Sequence, residues 1–287
     1  MHDIMALVPT GIAQGLVLSL VAIGVMIPFR LINFPDLTAE GAYPLGGALC
    51  AYLILSGCPP LLATLLASLA GGVLGIGTAL IHLRFRVNTL LAGIILSTMV
   101  YSINLRIMGK PNLALFENAT LFSNLLDIIS YKILFLLALN ACIIFFLYRY
   151  LMTEKGLRLR AVGLNPLFAE RQGISLSPYI LLGLFLGNAL SSFAGSLMVQ
   201  IQQYADVGMG VGIVIHALAA LMIGESIIGT QTFFRQLLAP LIGAIIYQQI
   251  QGLAISCGLA PSDLKFMTGF IVLLAMGYKT LYKVRVS

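Results

Sequence analysis

Apolar runs of membrane-spanning length recur along this chain, over residues 5–29, 37–55, 61–81, 87–107, 131–151, 178–199, 211–228, 233–255 and 266–281. A helical span takes roughly 20 predominantly apolar residues. These runs use up most of the 287 positions, and no separate soluble domain fits beside them. Only 9% of the residues are charged, where soluble domains carry about 25%. The chain therefore reads as all-α: a polytopic transmembrane helix bundle of about nine helices, within a range of eight to ten. A single membrane domain over residues 1–287 is expected. The opening MHDIMALVPTG has no basic leader and no small-residue cleavage site, so the first run is read as an uncleaved span.

One segment breaks the pattern. Residues 153–176, TEKGLRLRAVGLNPLFAERQGISL, carry Glu154, Lys155, Arg158, Arg160, Glu170 and Arg171 between two apolar runs. Loops rich in Lys and Arg stay on the cytoplasmic side. Counting spans outward from there puts loops 82–88 and 229–235 and the basic C-terminus inside. It puts loops 56–60, 109–130, 200–210 and 257–265 outside. Of the 16 basic residues, only Arg106, Lys110, Lys132 and Lys265 fall outside the cytoplasmic set. The net charge of +6 is thus a topology signal and not a nucleic-acid footprint. Cys50, Cys58, Cys142 and Cys257 lie in or beside apolar runs without CxxC spacing, so no metal or redox site is expected. A Cys58–Cys257 disulfide on the outer side is an open alternative. Phe116, Leu121, Phe122, Leu125 and Leu126 read as an amphipathic piece on the outer surface.

Residues 29–43, FRLINFPDLTAEGAY, interrupt two apolar runs with Pro35, Asp36, Glu40 and Gly41. Two readings stand: a short cytoplasmic turn, or a broken helix within the membrane. The second requires protein or a water-filled cavity to supply the backbone with hydrogen-bond partners. Glycines recur at small-xxx-small spacing, Gly71/Gly75 and Gly183/Gly187, which suits close helix packing inside the chain, with a subunit interface as the alternative.

No HExxH, GxSxG or GxxxxGK[ST] pattern occurs, so the chain does not read as an enzyme and carries no phosphate loop of its own. No cofactor is expected. Ionisable and amide residues inside spans are costly and mark candidate sites. Asp36 and Glu40 would share one helical face, either lining a path or placing acids at a helix start. Asn104 closes the outer end of its span, with Arg106 snorkelling beside it. Asn188 and Gln200 can bond a polar solute or another helix, and His216 is either a packing histidine or a proton relay. The five candidates for a solute path are Asp36, Glu40, Asn104, Asn188 and His216.

Within residues 153–176, Gly156, Ala161, Gly163, Asn165, Ala169 and Gly173 form a spaced pattern of small residues and a turn. This pattern resembles the coupling segment of bacterial ABC-importer permeases of the branched-chain amino acid and ribose type. The stretches INFPDLTAEG (residues 32–41), ALAALMIGE (217–225) and PLIGA (240–244) are similar to the same family. NFPDLTAEGAYPLG and MGKPNLALF look most like its amino-acid members, including aromatic ones.

The resemblance implies a permease in the bacterial inner membrane that moves a small polar solute by alternating access. Its partners would be two cytoplasmic ATPase subunits, a periplasmic or lipid-anchored binding protein and a second copy of the permease. ATP hydrolysis would belong to the ATPases, coupled through Gly156, Ala161, Gly163, Asn165, Ala169 and Gly173. The alternative is a self-contained channel or secondary carrier in which residues 153–176 are only a linker.

Overall fold

The computed structural model describes residues 2–116, 118–123 and 129–256, with 258, 266, 269–270 and 273 beyond them. The main chain runs α1 (His2–Met26), a π-helical turn (Ile27–Leu31), α2 (Ala39–Leu55), α3 (Pro60–Phe85), α4 (Thr89–Met108) and strand β1 (Asn112–Ala114). It continues with α5 (Ile129–Leu151), α6 (Glu154–Leu164), α7 (Pro166–Arg171), α8 (Leu176–Gln202), β2 (Tyr204–Asp206), α9 (Ile213–Ile228) and α10 (Phe233–Ser256). Eight of the nine expected apolar runs coincide with helices. Among the described residues six helices are long and apolar enough to cross a membrane, and two shorter apolar ones, α2 and α9, accompany them. Most of the run at 266–281, Cys257 and with it the alternative disulfide lie outside the described residues, as do Leu125 and Leu126.

The chain divides into two compact units. The first holds residues 1–23, 128–145 and 215–287. Here α5 is tied to α1 by buried amide chemistry: the Asn140 amide donates to the Leu16 carbonyl at 3.0 Å, and Ser19 donates to Asn140 at 2.6 Å. Gly224 and Gly243 let α9 and α10 touch backbone to backbone, since a Cβ at either would overlap a carbonyl of the other helix.

The second unit holds residues 24–127 and 146–214. Its centre is the packing of α8 against α2 and α3. Gly71 and Gly75 face the backbone of Asn188 and Leu184, and Gly46 meets Ser192 while Gly195 meets Tyr43. Lipid chains are as apolar as leucine, so helices in a membrane gain by close approach more than by burying oil. The small-residue spacing read from the sequence does this work within one chain. Polar ties reinforce it: the Gln200 amide donates to Thr64 on α3 at 2.8 Å, and Ser192 donates to the Ala67 carbonyl at 2.6 Å.

The loop after α4 carries a feature absent from the sequence reading: residues 112–114 pair antiparallel with 204–206 as a two-stranded ribbon. The ribbon is closed by Leu115 N–H donating to the Gln203 carbonyl at 2.8 Å. Phe122 is buried while Phe116 is exposed.

Because a side chain at position 46 would run into the Ser192 backbone, Gly46→Val cannot be absorbed by a side-chain shift. We expect it to cost at least about 3 kcal/mol, read as a clear fall in thermal midpoint in detergent. Gly252, in α10, has open space around it. Gly252→Ala should leave the midpoint level or raise it, since alanine favours a helix by about 1 kcal/mol.

Candidate functional site

The break between α1 and α2 is the buried, irregular kind. Pro28 sits in the π turn, where the α1 ladder ends. Residues 32–38 then run without regular structure, yet Ile32, Phe34, Asp36 and Thr38 are buried. Asn33 takes a left-handed conformation, φ 51°, which turns the chain so that Phe34 N–H reaches back to the Pro28 carbonyl at 2.8 Å. Phe34 packs edge-on against the His82 ring, centroids 5.0 Å apart. Asp36 lodges against Asn188, midway along α8. The break therefore lies at the depth of that span, where protein groups bond the Asp36 carboxylate and the Ile32, Phe34 and Thr38 N–H groups.

Asp36 and Glu40 go to different places. One oxygen of Asp36 accepts from the Thr38 N–H at 2.8 Å and from the Thr38 hydroxyl, which also meets Thr78 at 2.7 Å. Its other oxygen accepts from the Asn188 amide at 2.7 Å. Asp36 is not helical; it pins the turn that starts α2. Glu40 stands in the first turn of α2, half-buried, with the Gly212 backbone N–H near its carboxylate. None of the ion pairs among the described residues engages it.

Glu40 lines a cavity of about 230 Å³. Gly41 and Pro44 continue its α2 wall; Ser97, Thr98, Tyr101 and Asn104 form the α4 wall; and Val207, Gly210 and Val211, after β2, close a third side. Gly210 must be small, because a Cβ there would overlap the Glu40 carbonyl. Asn104 is fully buried, and neither its Oδ1 nor its Nδ2 has a hydrogen-bond partner. Ser97, Tyr101 and Asn104 share one helical face at i, i+4 and i+7. That polar stripe inside an apolar span was legible, but Ser97 and Tyr101 were not singled out from the sequence.

Of the five path candidates, the structure joins Glu40 with Asn104 at the cavity and Asp36 with Asn188 in the network behind the break. His216 belongs to the other unit, where its ring lies 5.7 Å from that of buried Tyr247.

Residues 153–176 fold into two short helices. Thr153 caps α6, and Asn165 both ends α6 and accepts the Phe168 N–H at 3.0 Å to cap α7, with Pro166 at its first position. Gly173, φ 76°, closes α7: its N–H bonds the Glu170 carbonyl and that of Ile174 bonds the Ala169 carbonyl, the αL cap that glycine suits. The small residues face inward. Gly156 lies on Leu151, Gly163 lies on the Leu31 and Ile32 backbone at the end of the π turn, and Ala169 is buried. Ala161 is partly buried on α6. Outward stand Leu164 (86% exposed), Leu167 (71%) and Phe168 (56%). Arg158 pairs with Glu154 one turn away, and Tyr179 and Glu154 together favour its charged form.

The family model described as "Branched-chain amino acid transport system / permease component" matches residues 7–277. The chain belongs to this permease family. It is a multi-pass membrane protein of a transport-system family and not of an enzyme class. A protein of Clostridioides difficile (strain R20291) named "Tyrosine transport system permease protein" is 35% identical over 260 residues, 91% of this chain and 87% of that protein. "Uncharacterized protein RP368" of Rickettsia prowazekii (strain Madrid E) is 31% identical over 271 residues, 93% and 95% of the two chains. No solved structure matches this chain significantly.

The two carboxylates predict opposite responses. Asn188→Ala strips a donor from buried Asp36 and should cost about 1–3 kcal/mol or more, read as a lower thermal midpoint. Glu40→Gln removes no such network and should stay within about 1 kcal/mol of the parent.

Proposed function

We propose that this chain is the membrane-spanning permease subunit of an ATP-driven importer for an amino acid, working as one permease domain. The observation that carries the reading is the construction of residues 153–176. Two capped helices hold small residues against the chain's own membrane portion and leave Leu164, Leu167 and Phe168 bare. Three large apolar side chains exposed on a charged cytoplasmic segment fit a groove on a partner. The chain has no phosphate loop, so that partner is the ATPase, one copy for each of two permease chains. The C-terminus is cytoplasmic, the count of spans is about nine, and the membrane is the bacterial inner membrane. A periplasmic or lipid-anchored binding protein delivers the solute to the outer side, where the loop after β2 borders the cavity.

The contact of Gly163 with Leu31 and Ile32 gives the docking segment a mechanical path. A push on α6 bears on the end of the π turn. The turn is continuous with the Asp36 network and, four residues later, with Glu40 at the cavity. Gly156, Ala161, Gly163, Asn165, Ala169 and Gly173 serve in this reading to hold α6 and α7 rigidly in place, and the exposed apolar residues make the ATPase contact. The similarity to a tyrosine permease makes L-tyrosine the first solute to test.

A bulky residue at Gly163 would collide with the π turn, so it cannot separate docking from folding. The clean test is the double variant Leu167→Asp, Phe168→Asp, purified with its ATPase and assayed for ATP-driven L-tyrosine uptake in proteoliposomes with the binding protein. Uptake and retained ATPase should fall at least about tenfold, as for buried anchors of an interface, with an unchanged thermal midpoint. Uptake that proceeds without ATP, or a parent chain that holds no ATPase, overturns the importer reading in favour of a carrier or channel.

A further inference from the structure

The cavity beside α2 and α4 contains two polar groups whose needs the chain leaves unmet. Asn104 is fully buried and bonded to nothing through either atom of its amide. A buried polar group left without a partner is destabilising, and such groups are rare unless something external completes them. Glu40 shares the same cavity, with only a backbone N–H beside its carboxylate. An ionised carboxylate among membrane spans is costly unless a cation faces it.

The two demands specify a ligand. A carboxylate only accepts hydrogen bonds, and an amide offers one accepting oxygen and two N–H donors. A primary ammonium carries three donors and a positive charge, enough to satisfy Glu40 and the Asn104 oxygen together. Ser97 does not compete, since its hydroxyl already donates to the Ile94 carbonyl at 3.0 Å. The volume, about 230 Å³, lies below the roughly 300–1,000 Å³ of sites for drug-sized ligands, so it suits a small solute or the head of a larger one. Half-exposed Tyr101 and Val211 border it, which leaves one side open for the rest of the solute.

We propose that this cavity is a subsite for a primary ammonium group, with Glu40 as its counter-ion and Asn104 as the amide that orients it. It deepens the amino-acid reading above and rests on that reading only for the identity of the ligand, the ammonium being the amino group of the transported solute. Solutes without an amine, sugars among them, would leave Glu40 uncompensated.

The test uses the full chain in lipid nanodiscs, its four native cysteines replaced by alanine and one thiol introduced by Ser97→Cys, or on the opposite wall by Val211→Cys. The probes are a trimethylammonium-ethyl and a sulfonatoethyl methanethiosulfonate, each rate divided by that reagent's rate with a small free thiol. The cationic reagent should react about tenfold faster or more, the size expected for one carboxylate at close range in a medium of intermediate dielectric. Glu40→Gln should bring the ratio towards unity, while Glu40→Asp should keep its direction. Tyramine should protect the thiol, and its acid counterpart 3-(4-hydroxyphenyl)propionate should not. Asn104→Leu should weaken tyramine protection several-fold and leave the charge ratio in place.

Monodisperse elution and a parent-like midpoint confirm that each variant is folded. A normalised ratio near unity in the parent, an unchanged ratio in Glu40→Gln, or equal protection by amine and acid overturns the proposal. None of these readings involves ATP or the binding protein. If L-tyrosine uptake fails while the charge ratio and amine protection hold, the amino-acid importer reading falls and the ammonium subsite stands.

Discussion

The Asp36 carboxylate holds the second unit's central irregularity in place. An unwound segment at the depth of a membrane span exposes backbone and side-chain polar groups that lipid cannot satisfy. Asp36 resolves this by accepting from Thr38 on one oxygen and Asn188 on the other. That fixes where α2 begins and ties its start to the middle of α8. The rest follows from the anchoring. With its start fixed, α2 is held in backbone contact with α8 through Gly46 and Gly195, and its first turn presents Glu40 beside the polar stripe of α4.

The same break reaches the other way. The chain leaves α1 through a π turn, and its last residue, Leu31, lies under Gly163 of α6. A π turn carries its hydrogen bonds at i→i+5 and is frequent at functional points in helices. Here it stands between α6 and the turn pinned by Asp36. α6, the break and the cavity wall lie within one compact unit, joined by the contact of Gly163 with Leu31 and by the turn that Asp36 pins.

Much of this was legible in the sequence because it depends on local chemistry. Span positions follow from apolar length, and eight runs reappear as helices. Asn165-Pro166 marked the turn at which α6 gives way to α7, because caps restrict residue type. The directions side chains face were less legible. Spacing identified Gly156, Gly163 and Ala169 as special, but small residues serve equally to admit a partner or to seat a helix on its own chain, and only packing separates the two. Ser97 and Tyr101 looked ordinary because a hydroxyl in a span usually bonds its own preceding turn, as Ser97 does. The two-stranded ribbon went unseen because three-residue strands carry too little pattern to register.

The unequal treatment of two acids four residues apart separates structure from function. A pattern-based reading assigns Asp36 and Glu40 the same uncertainty, since both precede or open a helix. The structure surrounds Asp36 with donors from Thr38 and from Asn188 of α8, and Thr78 of α3 meets Thr38 in turn, so moving it means breaking several buried hydrogen bonds at once. Glu40 has one backbone N–H nearby, a cavity beside it and an unbonded amide among the residues that line that cavity. A fully satisfied charge gains nothing from a ligand, whereas an under-satisfied one gains the hydrogen bonds the protein withheld. Polar satisfaction within the fold thus distinguishes an acid that pins the break from an acid left facing a cavity. It does so on the same helix start, by a difference that composition and spacing do not record.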